Sequence, residues 1–168
     1  VMKPNNEGSS LGVYICKNKK EFNKNYSKLK KKYKEILVEE YIAGKEIQVA
    51  VMGNKAMGAI ELVPNRNFYD YKAKYSSSAK TKHIMPARLT KTKYNQVLNL
   101  AKKAHRALRC KGITRSDFKF YNNKFYLLEI NTQPGMTKLS LVPEIANYNG
   151  INFEDLVIWM LKDASINR

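Results

Sequence analysis

The chain has 168 residues, 43% of them hydrophobic, enough for one to one and a half domains around a packed core and too apolar for wholesale disorder. Lysine and arginine number 31 against 14 aspartates and glutamates, a formal charge of +17, and 25 of the 31 are lysine. No run of about 18 apolar residues exists, which excludes a membrane-spanning helix; the opening VMKPNNEGSS has no signal-type apolar segment, and two cysteines, Cys16 and Cys110, are too few for a disulfide framework or a Cys-rich zinc site and read as reduced thiols of a cytosolic protein.

Val1-Met2-Lys3-Pro4 reads as a strand end entering the polar loop 5–10, with no initiating methionine ahead of it, so the chain is expected to begin inside a domain. Residues 11–15 form a short strand. Nine lysines between 17 and 34 surround Phe22, Tyr26, Leu29 and Tyr33 at steps of 4, 3 and 4, a helix over 19–33 with one buried stripe and a solvated basic face. Such a face favours a plain surface helix over a nucleic-acid site, because no arginine-aromatic reading motif accompanies it. Residues 36–41 are a strand. Ile47, Val49 and Val51 alternate in a half-buried strand, which a turn at 53–55 returns as 56–63.

Residues 64–86 are a long polar loop containing Phe68, Tyr69, Tyr71 and Tyr75, of the size and composition of a functional lid. Thr90 is a candidate N-cap for a helix with Tyr94, Val97, Leu98, Ala101, Ala104 and Leu108 inward, ended by Gly112. Strands follow over 113–120 and 125–131 around Asn122-Asn123. A short helix over 143–148 and a terminal helix over 153–161 complete the series, the latter with Phe153, Leu156, Val157, Met160 and Leu161 inward. The order is mixed α+β with strands mostly in hairpins. His83 and His105 read as surface or satisfied histidines, and Trp159 with Met52, Met57 and Met160 as core.

Glu129 and Asn131 are two apart on one strand and face the same way. If Asp117 on the partner strand sits opposite Glu129, Arg115 sits opposite Asn131; that register needs an odd loop or a bulge at 121–124. Oxygen ligands of this kind suit Mg²⁺ or Mn²⁺ with phosphates completing the shell, although a solvated acid beside a salt-bridged one is as good a reading of the three alone. The Pro134-Gly135 turn after this strand can aim backbone N–H groups at a developing negative charge. Lys3 ahead of a Gly-Ser-Ser loop is a natural phosphate contact, without being a Walker motif.

Residues 3–13, KPNNEGSSLGV, resemble the phosphate loop of D-alanine–D-alanine ligases, enzymes of the ATP-grasp fold. Residues 68–75, FYDYKAKY, resemble their lid, and Arg115-Ser116-Asp117, residues 129–137 and Ser140-Leu141-Val142-Pro143 resemble their catalytic end, in the right order over nearly the whole chain. The resemblance implies the back part of the ATP-grasp central subdomain over 1–38. It implies a C-terminal catalytic subdomain over 39–168, an antiparallel sheet flanked by helices, with the lid at about 64–86. It implies Lys3 on the ATP phosphates, Glu39, Tyr41 and Ile42 on adenine, Glu46 on ribose and Lys74 over the γ-phosphate. Tyr75 and Ser9 would anchor the lid, and Arg115 with the Gly135 N–H would stabilise the tetrahedral intermediate. Asp117, Glu129 and Asn131 would hold two Mg²⁺ or Mn²⁺ ions, and Ser140 with the Leu141 N–H would take the carboxylate of the second D-alanine.

The implied activity is ATP-dependent joining of two D-alanines through an acyl phosphate, for peptidoglycan precursor supply in the cytoplasm, by a homodimeric parent. The family's N-terminal domain is absent from the sequence, so the 168 residues alone are expected to be weak or inactive. A basic nucleic-acid-binding module, resting on the charge alone, and a non-catalytic ATP-grasp remnant are the alternatives. The intact set of Arg115, Asp117, Glu129 and Asn131 speaks against decay.

Overall fold

The computed structural model describes residues 1–8, 10–64, 81–137 and 140–165. They divide into two compact units, Val1–Ile42 with Pro64–Thr81 and Ala43–Val63 with Lys82–Arg168.

In the first unit β1 (Met2–Pro4) pairs antiparallel with β2 (Ile36–Val38), with Lys3 opposite Leu37. Met2 is fully buried, and it also forms a bridge to Tyr14. That bridge is all that remains of the strand expected over 11–15. Positive φ at Ser10 and Gly12 coils the chain there, and the bonds Leu11 N–H to Gly8 O and Val13 N–H to Ser10 O are those of turns. Helix α1 (Lys19–Lys30) starts where Asn18 accepts from the Glu21 N–H at 2.9 Å, while the Glu21 carboxylate accepts from the Lys17 N–H at 2.9 Å. The first bond satisfies an N–H that a helix start leaves open, and the second ties the residue ahead of the N-cap to the first turn. Its nine neighbouring lysines are exposed, as the spacing predicts, but of its apolar stripe only Leu29 is buried; Phe22 and Tyr26 stack on each other at 6.1 Å instead.

The second unit is a five-stranded antiparallel sheet in the order β5-β4-β3-β6-β7. Its strands are β3 (Lys45–Met52), β4 (Lys55–Val63), β5 (Lys82–Ile84), β6 (Ile113–Tyr121) and β7 (Lys124–Asn131). Ile47, Val49 and Val51 project to one face with Ala59 and Phe118, and there meet Val97 and Ala101 of α2 (Lys91–Ala107). The sequence leads one to expect β3 to be half-buried. It is the central strand, and Gln48 and Ala50 on its other face are buried too. β5 lies inside the stretch expected to be loop. Its three residues pair with the end of β4 and form the edge of the sheet.

Thr90 caps α2 by accepting from the Lys93 N–H at 3.3 Å. The inward stripe of α2 ends on His105, not on Leu108, which is 60% exposed beyond the helix. Helix α3 (Leu141–Tyr148) starts two residues before the expected position and packs on β4 and on α4 (Phe153–Asp163). Of the residues expected inward on α4, Leu156 is buried, whereas Leu161 in the last turn is 71% exposed. No helix among the described residues is long and apolar enough to cross a membrane.

Candidate active site

The polar face of the sheet is built by strand parity. Asn122 and Asn123, both at positive φ (47° and 62°), make a two-residue turn that pairs Tyr121 with Lys124. A regular ladder continued from that turn would set Asp117 opposite Leu128. Instead the register shifts between Asp117 and Phe118, so that Phe118 pairs with Leu127 and Asp117 with Glu129. Leu128 is the extra residue. The expected register is therefore present, with Arg115 opposite Asn131, but the bulge that creates it sits at Leu128, not in the turn. Gln48 of β3 is the neighbour of Asp117 on its other side, and Glu46 lies opposite Lys119.

Arg115 and Asp117, two apart on β6, face the same way, and the guanidinium binds the carboxylate through both oxygens, Nε to Oδ1 at 2.7 Å and a terminal nitrogen to Oδ2 at 2.9 Å. Asp117 is buried and Glu129 is exposed. The Asn131 amide nitrogen donates to Glu129 Oε1 at 3.3 Å. Among the described residues no three of His, Cys, Asp and Glu converge as a metal cluster. The oxygen donors present, two carboxylates and an amide carbonyl, fit a hard cation that takes the rest of its shell from phosphate and water.

Beyond β7, Ser140 precedes the first turn of α3. Its Oγ accepts from the Thr137 N–H at 3.1 Å and shares a hydrogen bond with Thr137 Oγ1 at 2.9 Å, so it does not cap the helix N–H groups. A Cβ at Gly135 would come within 3.0 Å of that Oγ. The bare glycine lets the Gly135–Thr137 backbone close over Ser140. In the first unit the Lys3 ammonium is 2.8 Å from Glu39 Oε1, a pairing set by strand neighbours. Tyr41 is exposed and Ile42 half-buried. Ser9, Lys74 and Tyr75 lie outside the described residues.

Lys119 and Gln48 are not among the residues that the motifs single out. The alternation 115, 117, 119 on one strand carries Lys119 to the polar face, and the alternation 46, 48 carries Gln48 there, so period 2 alone would have marked both.

The sequence model of the family described as D-ala D-ala ligase C-terminus matches residues 1–162. The chain belongs to that family. The D-alanine–D-alanine ligase of Pelagibacter ubique (strain HTCC1062) is 64% identical over 168 residues, all of this chain and 55% of the relative. A crystal structure of the D-alanine–D-alanine ligase of Bacillus anthracis superposes with TM-score 0.82 at 29% identity, covering 96% of this chain and 52% of that one. A second structure of the Bacillus anthracis enzyme, complexed with ATP, gives TM-score 0.80 at 25% identity, with 96% and 50% covered. The chain thus spans about half the length of the ligases it matches, and its α+β architecture is the ATP-grasp fold of the D-alanine–D-alanine ligase family.

Proposed function

We propose that the whole protein is an ATP-dependent ligase that joins two D-alanines for peptidoglycan precursor synthesis. The observation that carries the reading is the register of β6 on β7, which sets Arg115 opposite Asn131 and Asp117 opposite Glu129 on one face of the sheet. In this reading the carboxylate of the first D-alanine attacks the γ-phosphoryl of ATP, giving D-alanyl phosphate and ADP. The amine of the second then attacks the acyl carbon and phosphate leaves. Arg115 and the Gly135 N–H stabilise the oxyanion of that addition. Ser140 and the Leu141 N–H, at the start of α3, take the carboxylate of the second D-alanine.

Lys3 and Lys74 contact the ATP phosphates, Glu39, Tyr41 and Ile42 the adenine, and Glu46 the ribose; Ser9 and Tyr75 anchor the lid. Asp117, Glu129 and Asn131 are the residues that would hold two Mg²⁺ or Mn²⁺ ions, which when bound neutralise charge on the phosphoryl group in transfer. Residues 1–38 are read as the remainder of the central subdomain and 39–168 as the catalytic subdomain. A cytoplasmic location, a homodimeric parent and weak activity of these 168 residues by themselves follow from the family resemblance.

In the intact protein, Glu129→Gln should lower D-alanine-dependent ADP release by about 100-fold or more, with D-alanyl-D-alanine as the product lost. Calorimetry of ADP on the same variant should show the magnesium-dependent part of binding removed. Full ligation by Glu129→Gln would refute the assignment.

A further inference from the structure

Glu46 and Gln48 are successive same-face residues of β3 on the side of the sheet that carries Asp117 and Glu129. Lys119 lies directly opposite Glu46, its ammonium 3.1 Å from Glu46 Oε1, and the two side chains are only 15% and 14% exposed. The second oxygen of the same carboxylate, Oε2, is shielded from solvent and has no hydrogen-bond partner among the described residues. Gln48 Oε1, in a residue 4% exposed, is a second such acceptor one step along the strand. Buried acceptors without a donor are uncommon in folded chains; among the described residues Ser116 Oγ is a third, on the opposite face beside Val49, so what sets Glu46 apart is its ion pair with Lys119.

We propose that Lys119 is a positioning residue of the nucleotide site: it holds Glu46 by Oε1, which leaves Oε2, itself closed to solvent, as the oxygen with no competing donor for a ribose hydroxyl. The inference rests on the reading of Glu46 as the ribose contact. A lysine ammonium has three donors and no acceptor, so it cannot compete for a hydroxyl proton; it can only fix the carboxylate that receives it. A hydroxyl has one proton to give, and a carboxylate oxygen with no other donor is its strongest available partner. Without Lys119 the carboxylate loses its fixed direction.

The test combines a change in the protein with a change in the ligand. In the intact protein, dissociation constants are measured by calorimetry for ATP and for 2′,3′-dideoxy-ATP. Lys119→Met should weaken ATP about five- to tenfold and the dideoxy nucleotide less than about twofold, and Lys119→Arg should restore most of the loss. An equal loss with both nucleotides, or none with either, overturns the proposal, because a merely structural lysine would not distinguish them. If Lys119→Met does not fold, the pair Lys119→Met with Glu46→Gln leaves no unpaired charge. That protein should bind ATP no better than the dideoxy nucleotide, and any retained preference counts against the clamp. Should the native protein not distinguish the two nucleotides and Glu46→Gln be silent, the assignment of Glu46 to ribose has failed and the proposal falls with it.

Discussion

His105 is shut away from water in the last turn of α2, with its Nδ1 2.8 Å from Thr114 Oγ1 on β6. Burial holds its pKa below the ordinary imidazole value, with Arg106 and Lys111 acting in the same direction. The unfolded chain therefore binds a proton that the folded one refuses, and stability rises with pH through this window. The urea midpoint should fall as pH is taken from about 7.5 to about 5.5, and the fall should be smaller in His105→Gln. Helical spacing puts Leu108 in this stripe and leaves His105 as a surface or satisfied histidine without a role. Counting apolar residues at helical spacing cannot see that a polar ring is worth burying when the facing strand offers a hydroxyl. Glu61 is a second case. It is buried and held below the usual carboxylate range by three bonds from Arg88, against the effect of its burial. Nothing in its alternating neighbours announces the partner 27 residues away.

At the scale of elements, the strands that form the candidate site were legible because hairpins have short-range grammar. Asn122-Asn123 between two apolar runs fixes β6 against β7, and the opposition of Asp117 to Glu129 follows once one extra residue is allowed. The position of that residue was not legible, since two exposed leucines in a row offer no local reason to place the irregularity at one of them. The strand expected over 11–15 is absent for the converse reason: an apolar run suggests pairing, but positive φ at Ser10 and Gly12 bends it away from a ladder. The entry to β3 is as demanding. Gly44 has φ +96°, and a Cβ there would lie 2.2 Å from the Phe120 carbonyl oxygen. Gly44→Ala should cost about 2–4 kcal/mol in urea unfolding, because both the backbone conformation and the approach of β3 to β6 would have to yield. Glu46, the proposed ribose contact, lies two residues on, so ATP affinity should drop with it.

For the molecule as a whole, the charge of +17 is the feature the fold leaves unused. The lysines around α1 are exposed and belong to the solvated face that their spacing predicts. They should give weak, sequence-indifferent binding to DNA. Two unrelated duplexes should bind equally, and the affinity should drop by about 10³-fold or more between about 50 mM and 200 mM salt. A preference between the duplexes would contradict the reading of this face as solvated surface. The family was legible because its motifs lie in order along nearly the whole sequence; the matching relatives are nearly twice as long, and their remaining half has no counterpart here from which to read.

Leu128 is supernumerary to the ladder. The turn at Asn122-Asn123 counts out four regular pairs as far as Phe118 and Leu127, and the next pair is Asp117 with Glu129. A chain lacking Leu128 would therefore bring Glu129 to the same partner by regular counting, and Asn131 to Arg115 after it. The spacing of the acidic pair is indifferent to one residue of length in β7. What position 128 contributes is an exposed side chain and an added local twist beside Glu129, not a pairing.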